Sequence, residues 1–199
     1  YQRSRGLGDV YKRQIFGAGK AKGTVVGLVL GTGIAGGVSV DGVLINNGDG
    51  QSGEFGHMPI AGTIIAAHNL PILKCGCGRF GCYETYGSGP GLERLAKQLL
   101  GCDLTSHEII SDRTHQEISR IWEIWCDINA ALILTIVTTI DPRTIVLGGG
   151  MSKISGLIEE LESALIRVAW KELPLPSIRL GSRGETAAAL GAAYAAYHV

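Results

Sequence analysis

Three thiols lie within eight residues of this chain, in Cys75-Gly76-Cys77-Gly78-Arg79-Phe80-Gly81-Cys82, and His57 lies upstream. Glycines between the thiols let the backbone wrap tightly enough for several sulfurs to reach one point. Three thiolates and one imidazole form a closed tetrahedral set, which is typical of structural zinc. The alternative is a disulfide or ordinary buried thiols, and disulfides are disfavoured because the sequence shows no signal peptide. Cys102 and Cys126 lie on predicted helical segments and are expected to be core residues.

Two glycine-rich turns could approach phosphate groups. Leu30-Gly31-Thr32-Gly33-Ile34-Ala35-Gly36-Gly37 lies at a predicted strand–turn–strand corner, where backbone N–H groups and the Thr32 hydroxyl could contact a phosphate. The alternative there is a plain tight turn. Gly148-Gly149-Gly150 follows another predicted strand and opens a predicted helix, so a nucleotide could also lie against this backbone.

Two carboxylates, Glu54 and Glu84, bracket the cysteine segment. A metal that fixes His57 and Cys82 would also fix both carboxylates in space. Carboxylates held in this way suit bidentate hydrogen bonding to vicinal hydroxyls. The alternative is a pair of solvated loop acids, which is the default reading if no metal binds.

The elements that must position these residues are predicted as strands first and then helices alternating with strands, which indicates the α/β class. Residues 24–31, 36–40 and 43–45 predict an antiparallel meander, and Asp41-Gly42 has the composition of a type I′ turn. Residues 58–86 hold the clustered cysteines and form a long irregular stretch. A stretch of this length without secondary structure needs a staple.

Helix signals follow the cysteine segment. Pro90 suits the first turn of a helix, and the apolar face of that helix is expected at Leu92, Leu95, Ala96 and Leu99. Thr105 with Glu108 and Thr114 with Glu117 have capping-box spacing, and the second box is expected to open a long helix. That helix should stop at Asp141-Pro142. Two more strands are predicted, at 144–147 and 177–180, and a last helix at 185–199. Between the two strands, a helix is predicted with an apolar stripe at Ile158, Leu161, Leu165 and Val168, and Pro174 and Pro176 are expected to end it.

The composition fits a globular protein. Apolar residues make up 45% of the 199 residues and the formal net charge is zero, which excludes a disordered chain and a nucleic-acid binder driven by bulk positive charge. The most apolar run, 130–140, is too short to cross a bilayer. Residues 1–14 hold four bases and one acid, and we interpret them as a non-native, adapter-like segment. The whole sequence has 18 basic and 18 acidic residues, so removing residues 1–14 leaves 14 bases and 17 acids, which makes the remaining chain mildly acidic.

Four segments, taken in order, resemble the ROK family of sugar kinases and related repressors, and the resemblance runs over residues 15–199. They are Leu-Gly-Thr-Gly-Ile-Ala-Gly-Gly at 30–37, Gly-Glu-Phe-Gly-His-Met at 53–58, Cys-Gly-Cys-Gly-Arg-Phe-Gly-Cys-Tyr-Glu at 75–84 and Asp-Pro-Arg-Thr-Ile-Val-Leu-Gly-Gly-Gly at 141–150. Phe55 and the Tyr86-x-Ser88-Gly89 element lean toward the bacterial N-acetyl-D-glucosamine kinases of that family.

The resemblance implies an actin-like ATPase fold of the ribonuclease H type, with residues 15–186 as the C-terminal kinase lobe and a zinc loop at 57–86. Its zinc ligands are carried over onto His57, Cys75, Cys77 and Cys82. Its sugar-hydroxyl contacts are carried over onto Glu54, His57 and Glu84. Its contacts to ATP, which acts with Mg²⁺, are carried over onto Gly31, Thr32, Gly33, Gly36, Gly37, Gly148, Gly149 and Gly150.

The family's general-base Asp and its N-terminal Asp-x-Gly-Gly-Thr motif do not occur in this sequence. We therefore expect a C-terminal fragment that lacks its N-terminal lobe, holds zinc and does not phosphorylate sugar. Its last helix, at 187–199, would have lost the lobe on which it packs.

The whole protein is expected to be a cytoplasmic, ATP-dependent kinase of a hexose or N-acetylhexosamine. N-acetyl-D-glucosamine is the favoured substrate, with a 6-phosphate product. A homodimer is expected, without nucleic-acid or membrane partners. The alternative is the sugar-sensing domain of a ROK transcriptional repressor, which shares the zinc cluster.

Overall fold

The structure is a computed structural model that describes residues 23–45 and 52–181. The chain divides into two compact units. The first, the sheet unit, comprises Tyr1–Phe55, Ile136–Lys153 and Pro174–Val199. The second, the helical unit, comprises Gly56–Thr135 and Ile154–Leu173. The predicted helix at 185–199 and residues 1–14 lie outside the described residues.

Among the described residues, the sheet unit holds a mixed sheet of five strands with the order β3-β2-β1-β4-β5. The strands are β1 (Thr24–Leu30), β2 (Ile34–Val40), β3 (Val43–Leu44), β4 (Thr144–Gly148) and β5 (Ser177–Leu180). The first three pair antiparallel, with Gly27 opposite Gly37, and β4 pairs parallel with both β1 and β5. Both strands are central, and all their apolar side chains except Val29 are fully buried. The predicted meander and the α/β class are confirmed.

The Asp41-Gly42 turn connects β2 to β3 and sets the register of their pairing. Its φ angles are +50° and +84°, both in the left-handed region that a type I′ turn requires. The Asp41 carboxylate also accepts a hydrogen bond of 2.7 Å from the Gly23 backbone N–H. The turn predicted from these two residues is confirmed.

Six α-helices lie among the described residues: α1 (Gly62–His68), α2 (Tyr83–Gly87), α3 (Gly89–Leu100), α4 (Ser106–Ser111), α5 (Gln116–Ile140) and α6 (Leu157–Val168). Short 3₁₀ helices occur at Phe55–His57 and Met151–Lys153. The prediction that 58–86 lacks secondary structure is wrong, because α1 and the start of α2 lie inside it. Both helices are short, so neither shows an apolar period that sequence reading can detect.

The predicted first turn of α3 at Pro90 and the predicted capping box of α4 are confirmed, whereas the Ser88 cap of α3 was not predicted. The Ser88 hydroxyl accepts from the Gly91 N–H at 3.0 Å, and Pro90 occupies the first turn of α3. Thr105 caps α4 in a reciprocal box with Glu108, whose backbone N–H donates to the Thr105 hydroxyl at 3.2 Å. Cys102 does not lie on a helix or in the core, because α3 ends at Leu100 with Gly101 as its C-cap and leaves Cys102 exposed.

Helix α5 is the long core helix of the protein. Trp122 and Trp125 stack on it with ring centroids 4.9 Å apart. By length and composition it could cross a membrane, but 67% of its apolar window is buried in the protein, as expected of a core helix. It begins at Gln116, so Thr114 is not its capping residue. It ends at Ile140, before Asp141, as predicted.

Helix α6 buries the predicted stripe at Leu161 and Leu165, with Leu157 and Ala164. It begins after Gly156 and ends at Val168, so Pro174 and Pro176 lie beyond its end and do not terminate it. The two prolines instead precede β5, where their fixed φ suits an extended approach to the sheet.

Candidate functional site

The residues predicted to hold a metal converge in the helical unit. One ligand atom from each of His57, Cys75, Cys77 and Cys82 lies within 4.8 Å of the others. Cys75 Sγ is 3.7 Å from His57 Nδ1, and Cys77 Sγ is 3.7 Å from Cys82 Sγ. Sulfurs about 2.3 Å from one tetrahedral ion would be about 3.8 Å apart, whereas a disulfide needs about 2.0 Å. The donor set and its spacing fit a metal ion, and all five cysteines are unpaired.

The three cysteines lie in a tight hairpin. The Cys75 N–H donates to the Arg79 carbonyl at 2.7 Å, and the Gly78 N–H donates back to the Cys75 carbonyl at 3.0 Å. Gly78 has a φ of +90°, and Gly81 a φ of +68°. Side chains with a Cβ rarely adopt these angles, so the glycines allow the double reversal that returns Cys82 to the first two thiols.

Main-chain pairing brings His57 to this hairpin. Just downstream of His57, the Ile60 N–H donates to the Gly81 carbonyl at 2.7 Å. The Tyr83 N–H donates to the Met58 carbonyl at 3.0 Å. The fourth ligand therefore comes from a separate segment that is held against the hairpin by two backbone hydrogen bonds.

Two buried tyrosines on α2 support the metal loop, and the sequence analysis did not assign them this role. The Tyr83 hydroxyl accepts from the Ala61 N–H at 3.3 Å. The Tyr86 hydroxyl donates to the Pro71 carbonyl and accepts from the Leu73 N–H, both at 2.8 Å. Burial raises the pKa of both hydroxyls, so they stay protonated and able to donate. Their spacing of three residues directly after Cys82 is the signal that could have identified them.

The metal-free thiols differ in acidity. Hydrogen bonds from the Arg79 backbone and side chain lower the pKa of Cys77 to about 6. Burial, together with hydrogen bonds to Cys77 and Cys75, raises the pKa of Cys82 to about 12. Arg79 also donates from Nη2 to the His57 carbonyl. A dication entering the cluster would therefore meet one thiolate already formed and would displace a proton from Cys82.

The two predicted sugar-binding carboxylates fall in different units. Glu84 lies in the first turn of α2, two residues after Cys82, and is partly exposed. Glu54 belongs to the sheet unit, where it directly precedes the 3₁₀ helix Phe55–His57 and is partly buried. The structure thus places Glu84 and His57 in the unit that contains the cysteine cluster, and Glu54 in the other.

The two predicted phosphate turns lie side by side in the sheet unit. Gly31, Thr32 and Gly33 connect β1 to β2, and Gly149 and Gly150 follow β4. A Cβ built on Gly31 would lie 3.5 Å from the Gly150 backbone nitrogen and 3.9 Å from Gly149 Cα. Because β1 and β4 are parallel, their carboxyl ends bring both turns to one edge of the sheet.

The other predicted nucleotide-binding glycines lie in strands. Gly36 and Gly37 are buried in β2, and Gly148 ends β4. A Cβ on Gly36 would lie 2.5 Å from the Gly27 carbonyl oxygen and 2.6 Å from the Phe55 ring. Close packing therefore explains the glycine at Gly36. The segment after Gly150 forms only the short 3₁₀ helix, so the prediction that these glycines open an α-helix is wrong.

Two curated relatives share about a third of their residues with this chain. The N-acetylgalactosamine kinase AgaK of Shewanella sp. (strain ANA-3) is 33% identical over 181 residues, which are 90% of this chain and 59% of the relative. The N-acetyl-D-glucosamine kinase of Histophilus somni (strain 129Pt) is 35% identical over 175 residues, 85% of this chain and 57% of the relative. The chain thus spans less than two thirds of the length of these relatives.

A solved structure and a family model agree with the fold. The ROK hexokinase from Thermus thermophilus superposes with a TM-score of 0.80 and 27% identity, over 98% of this chain and 66% of that one. The α/β architecture is therefore the actin-like ATPase fold of ROK sugar kinases. The model described as "ROK family" matches residues 9–198, a span that begins inside the segment 1–14. With nearly its whole length matched, the chain belongs to the ROK family.

Proposed function

We propose that this chain is the C-terminal part of an ATP-dependent sugar kinase that phosphorylates an N-acetylhexosamine, with N-acetyl-D-glucosamine as the favoured substrate and a 6-phosphate as product. The observation that carries the proposal is the four-ligand cluster of the helical unit, with His57 as a ligand and Glu84 two residues beyond Cys82. Relatives named for N-acetyl-D-glucosamine and N-acetylgalactosamine support the substrate class.

The cluster is proposed to hold one structural Zn²⁺. Three thiolates and one imidazole complete a tetrahedral set and leave no open position, so the ion would anchor the loop and would not bind substrate. When bound, it supplies a rigid link between the His57 segment and the hairpin. His57 Nδ1 lies 3.7 Å from Cys75 Sγ, which supports Nδ1 as the metal ligand, and Nε2 is proposed to contact a sugar hydroxyl.

Glu84 is proposed to accept hydrogen bonds from sugar hydroxyls, together with His57, and Glu54 is separately proposed as a sugar-hydroxyl contact. A carboxylate has two oxygens and can accept from two neighbouring hydroxyls at once, which fits a vicinal diol. Anchoring His57 and Cys82 restricts the backbone on which Glu84 sits, since Cys82 is the residue directly before α2. This restriction would lower the entropy cost of sugar binding.

The nucleotide is proposed to lie at the edge of the sheet where the turns of Gly31, Thr32 and Gly33 and of Gly149 and Gly150 meet. Backbone N–H groups and the Thr32 hydroxyl there can donate to phosphate oxygens. Thr32 and Gly150 are exposed, so a phosphate could reach them. Mg²⁺ would accompany ATP, as phosphoryl transfer requires charge neutralisation. We extend the proposal to a cytoplasmic homodimer for the whole kinase.

The 199-residue polypeptide by itself is proposed to be inactive. Transfer of a phosphoryl group to a sugar hydroxyl needs a general base near that hydroxyl. The Asp that fills this role in the family is proposed to be absent from this sequence. The chain also spans 59% of the length of AgaK.

One set of measurements tests these points. The purified polypeptide should contain one zinc per chain by elemental analysis and show no turnover in a coupled ATP assay with N-acetylglucosamine, N-acetylgalactosamine, N-acetylmannosamine or glucose. A polypeptide extended upstream through its reading frame should phosphorylate N-acetylglucosamine fastest. Turnover by the 199 residues would contradict the inactivity. An extended protein that binds sugar and operator DNA without turnover would favour the repressor alternative.

A further inference from the structure

Arg79 is an exposed side chain that joins the two segments supplying metal ligands. It lies in the hairpin between Cys77 and Cys82, and its Nη2 donates to the carbonyl of His57, 22 residues upstream. Its own carbonyl accepts from the Cys75 N–H at 2.7 Å. One residue therefore closes the hairpin through its main chain and reaches the histidine ligand through its side chain.

His57 is the ligand whose position depends most on contacts between segments. The three cysteines are covalently close and share one hairpin, whereas His57 enters from the end of the 3₁₀ helix Phe55–His57. The two main-chain bonds that hold this segment act one and three residues beyond it, at Met58 and Ile60. The Arg79 bond acts on the His57 residue itself.

The hydrogen bond should matter more than the charge of Arg79. A dication with three thiolates and a neutral imidazole carries net negative charge, so a nearby guanidinium is attracted to it. Arg79 is exposed, however, and water and salt screen an attraction of this kind. The hydrogen bond from Arg79 to the main chain of His57 restricts the motion of that ligand. Screening by water and salt does not remove this restriction.

We propose that Arg79 is a positioning residue that holds His57 in its ligating place and thereby slows the loss of the metal. The proposal rests on the zinc site proposed above. Outer-shell partners of metal ligands typically change metal affinity by about 10- to 100-fold when they are removed.

The test compares three variants of the zinc-loaded chain. Arg79→Gln removes the guanidinium, Arg79→Lys keeps the charge without the planar fork, and Lys74→Gln removes a charge from the same hairpin. Zinc release to an excess of a chromophoric chelator should be about 10-fold faster in Arg79→Gln. It should be faster by a smaller factor in Arg79→Lys and unchanged in Lys74→Gln.

Replacing Zn²⁺ with Co²⁺ gives a spectrum that would not change if Arg79 only stabilised the fold. The ligand-field bands of Co²⁺ report the coordination geometry and the full ligand set, and they therefore change when the imidazole is replaced. In Arg79→Gln they should lose intensity as water replaces His57, while the sulfur charge-transfer bands stay. Amide exchange at Ile60 and Tyr83 checks that the variant keeps its fold.

Distinct results overturn distinct proposals. If both Arg79 variants contain one zinc per chain and release it at the rate of the parent, the role of Arg79 is overturned and the proposed zinc site is not. Equally fast release in Lys74→Gln would also overturn it, because charge alone would then suffice. A parent chain that takes up no zinc would overturn the zinc site and the role of Arg79 together.

Discussion

Gly149 and Gly150 are adjacent, but only Gly149 lies where a Cβ would clash. Substituting each of them tests, at the residue scale, the turn proposed for nucleotide binding. Gly149 has a φ of +87°, and a Cβ there would lie 2.2 Å from the Leu30 carbonyl oxygen. Gly150 has ordinary φ and nothing within 4 Å of such a Cβ. Gly149→Ala should lower the free energy of unfolding by at least about 2 kcal/mol, from strain and overpacking.

Gly150→Ala is the matched control and should stay within about 0.5 kcal/mol of the parent. Urea unfolding with an unchanged slope measures both. Equal effects of the two substitutions would contradict the close approach of Gly149 to β1.

The residues of the metal cluster could be predicted because their signal is local. Three thiols and their glycines lie in one short segment, and geometry within that segment is enough to suggest convergence. The role of Gly36 could not be predicted in this way. Its neighbours are Gly27 and Phe55, and only the folded sheet brings these positions together. A glycine-rich motif therefore mixes turn residues with packing residues that sequence reading cannot separate.

At the scale of elements, two threonines with the same spacing to a glutamate behave differently. Thr105 caps α4, whereas α5 begins two residues after Thr114. Thr105→Ala should cost about 1 kcal/mol of unfolding free energy, because the first turn of α4 loses its hydroxyl acceptor. Thr114→Ala should change it by less than about 0.5 kcal/mol. Chemical denaturation of both variants distinguishes them, and equal losses would contradict the assignment.

The contribution of the Thr105 box should depend on pH. Hydrogen bonds from the Thr105 hydroxyl and N–H lower the pKa of Glu108. A carboxyl whose pKa is lowered by folding stabilises the folded state above its unfolded pKa, about 4.3, and loses this effect as pH falls through the folded value. The difference between parent and Thr105→Ala should therefore shrink below about pH 4. A difference that is constant from neutral pH to pH 3 would contradict this.

Long periodic elements could be predicted, and the six-residue helix α4 could be predicted from its capping box, whereas α1 and α2 could not. The stripe of α6 and the alternation of strands with helices are readable because many residues repeat one period. Helices α1 and α2 have seven and five residues, fewer than two full turns, so no period can emerge. Their helicity depends on tertiary support, such as the Tyr86 hydroxyl bond to Pro71.

At the scale of the whole molecule, the division into two units was not foreseen. Each unit is assembled from separated stretches, and α5 carries the chain from the helical unit into the sheet unit after Thr135. A composition shift marks a boundary only where the chain changes domain once, through a linker. Here the chain changes unit four times, after Phe55, Thr135, Lys153 and Leu173. The first change falls within a 3₁₀ helix and the second within a continuous α-helix, and neither leaves such a mark.

This division predicts where metal removal should act. All four proposed ligands, from His57 to Cys82, lie in the helical unit. A chelator should therefore speed amide exchange at Ile60, Gly81 and Tyr83, whose bonds close the metal loop, while the amides shared by β1, β2 and β4 stay protected. Cys82→Ser should reproduce this pattern, and Cys102→Ser, at an exposed thiol outside the cluster, should not. Loss of protection across the sheet at the same chelator concentration would mean that the metal stabilises both units as one.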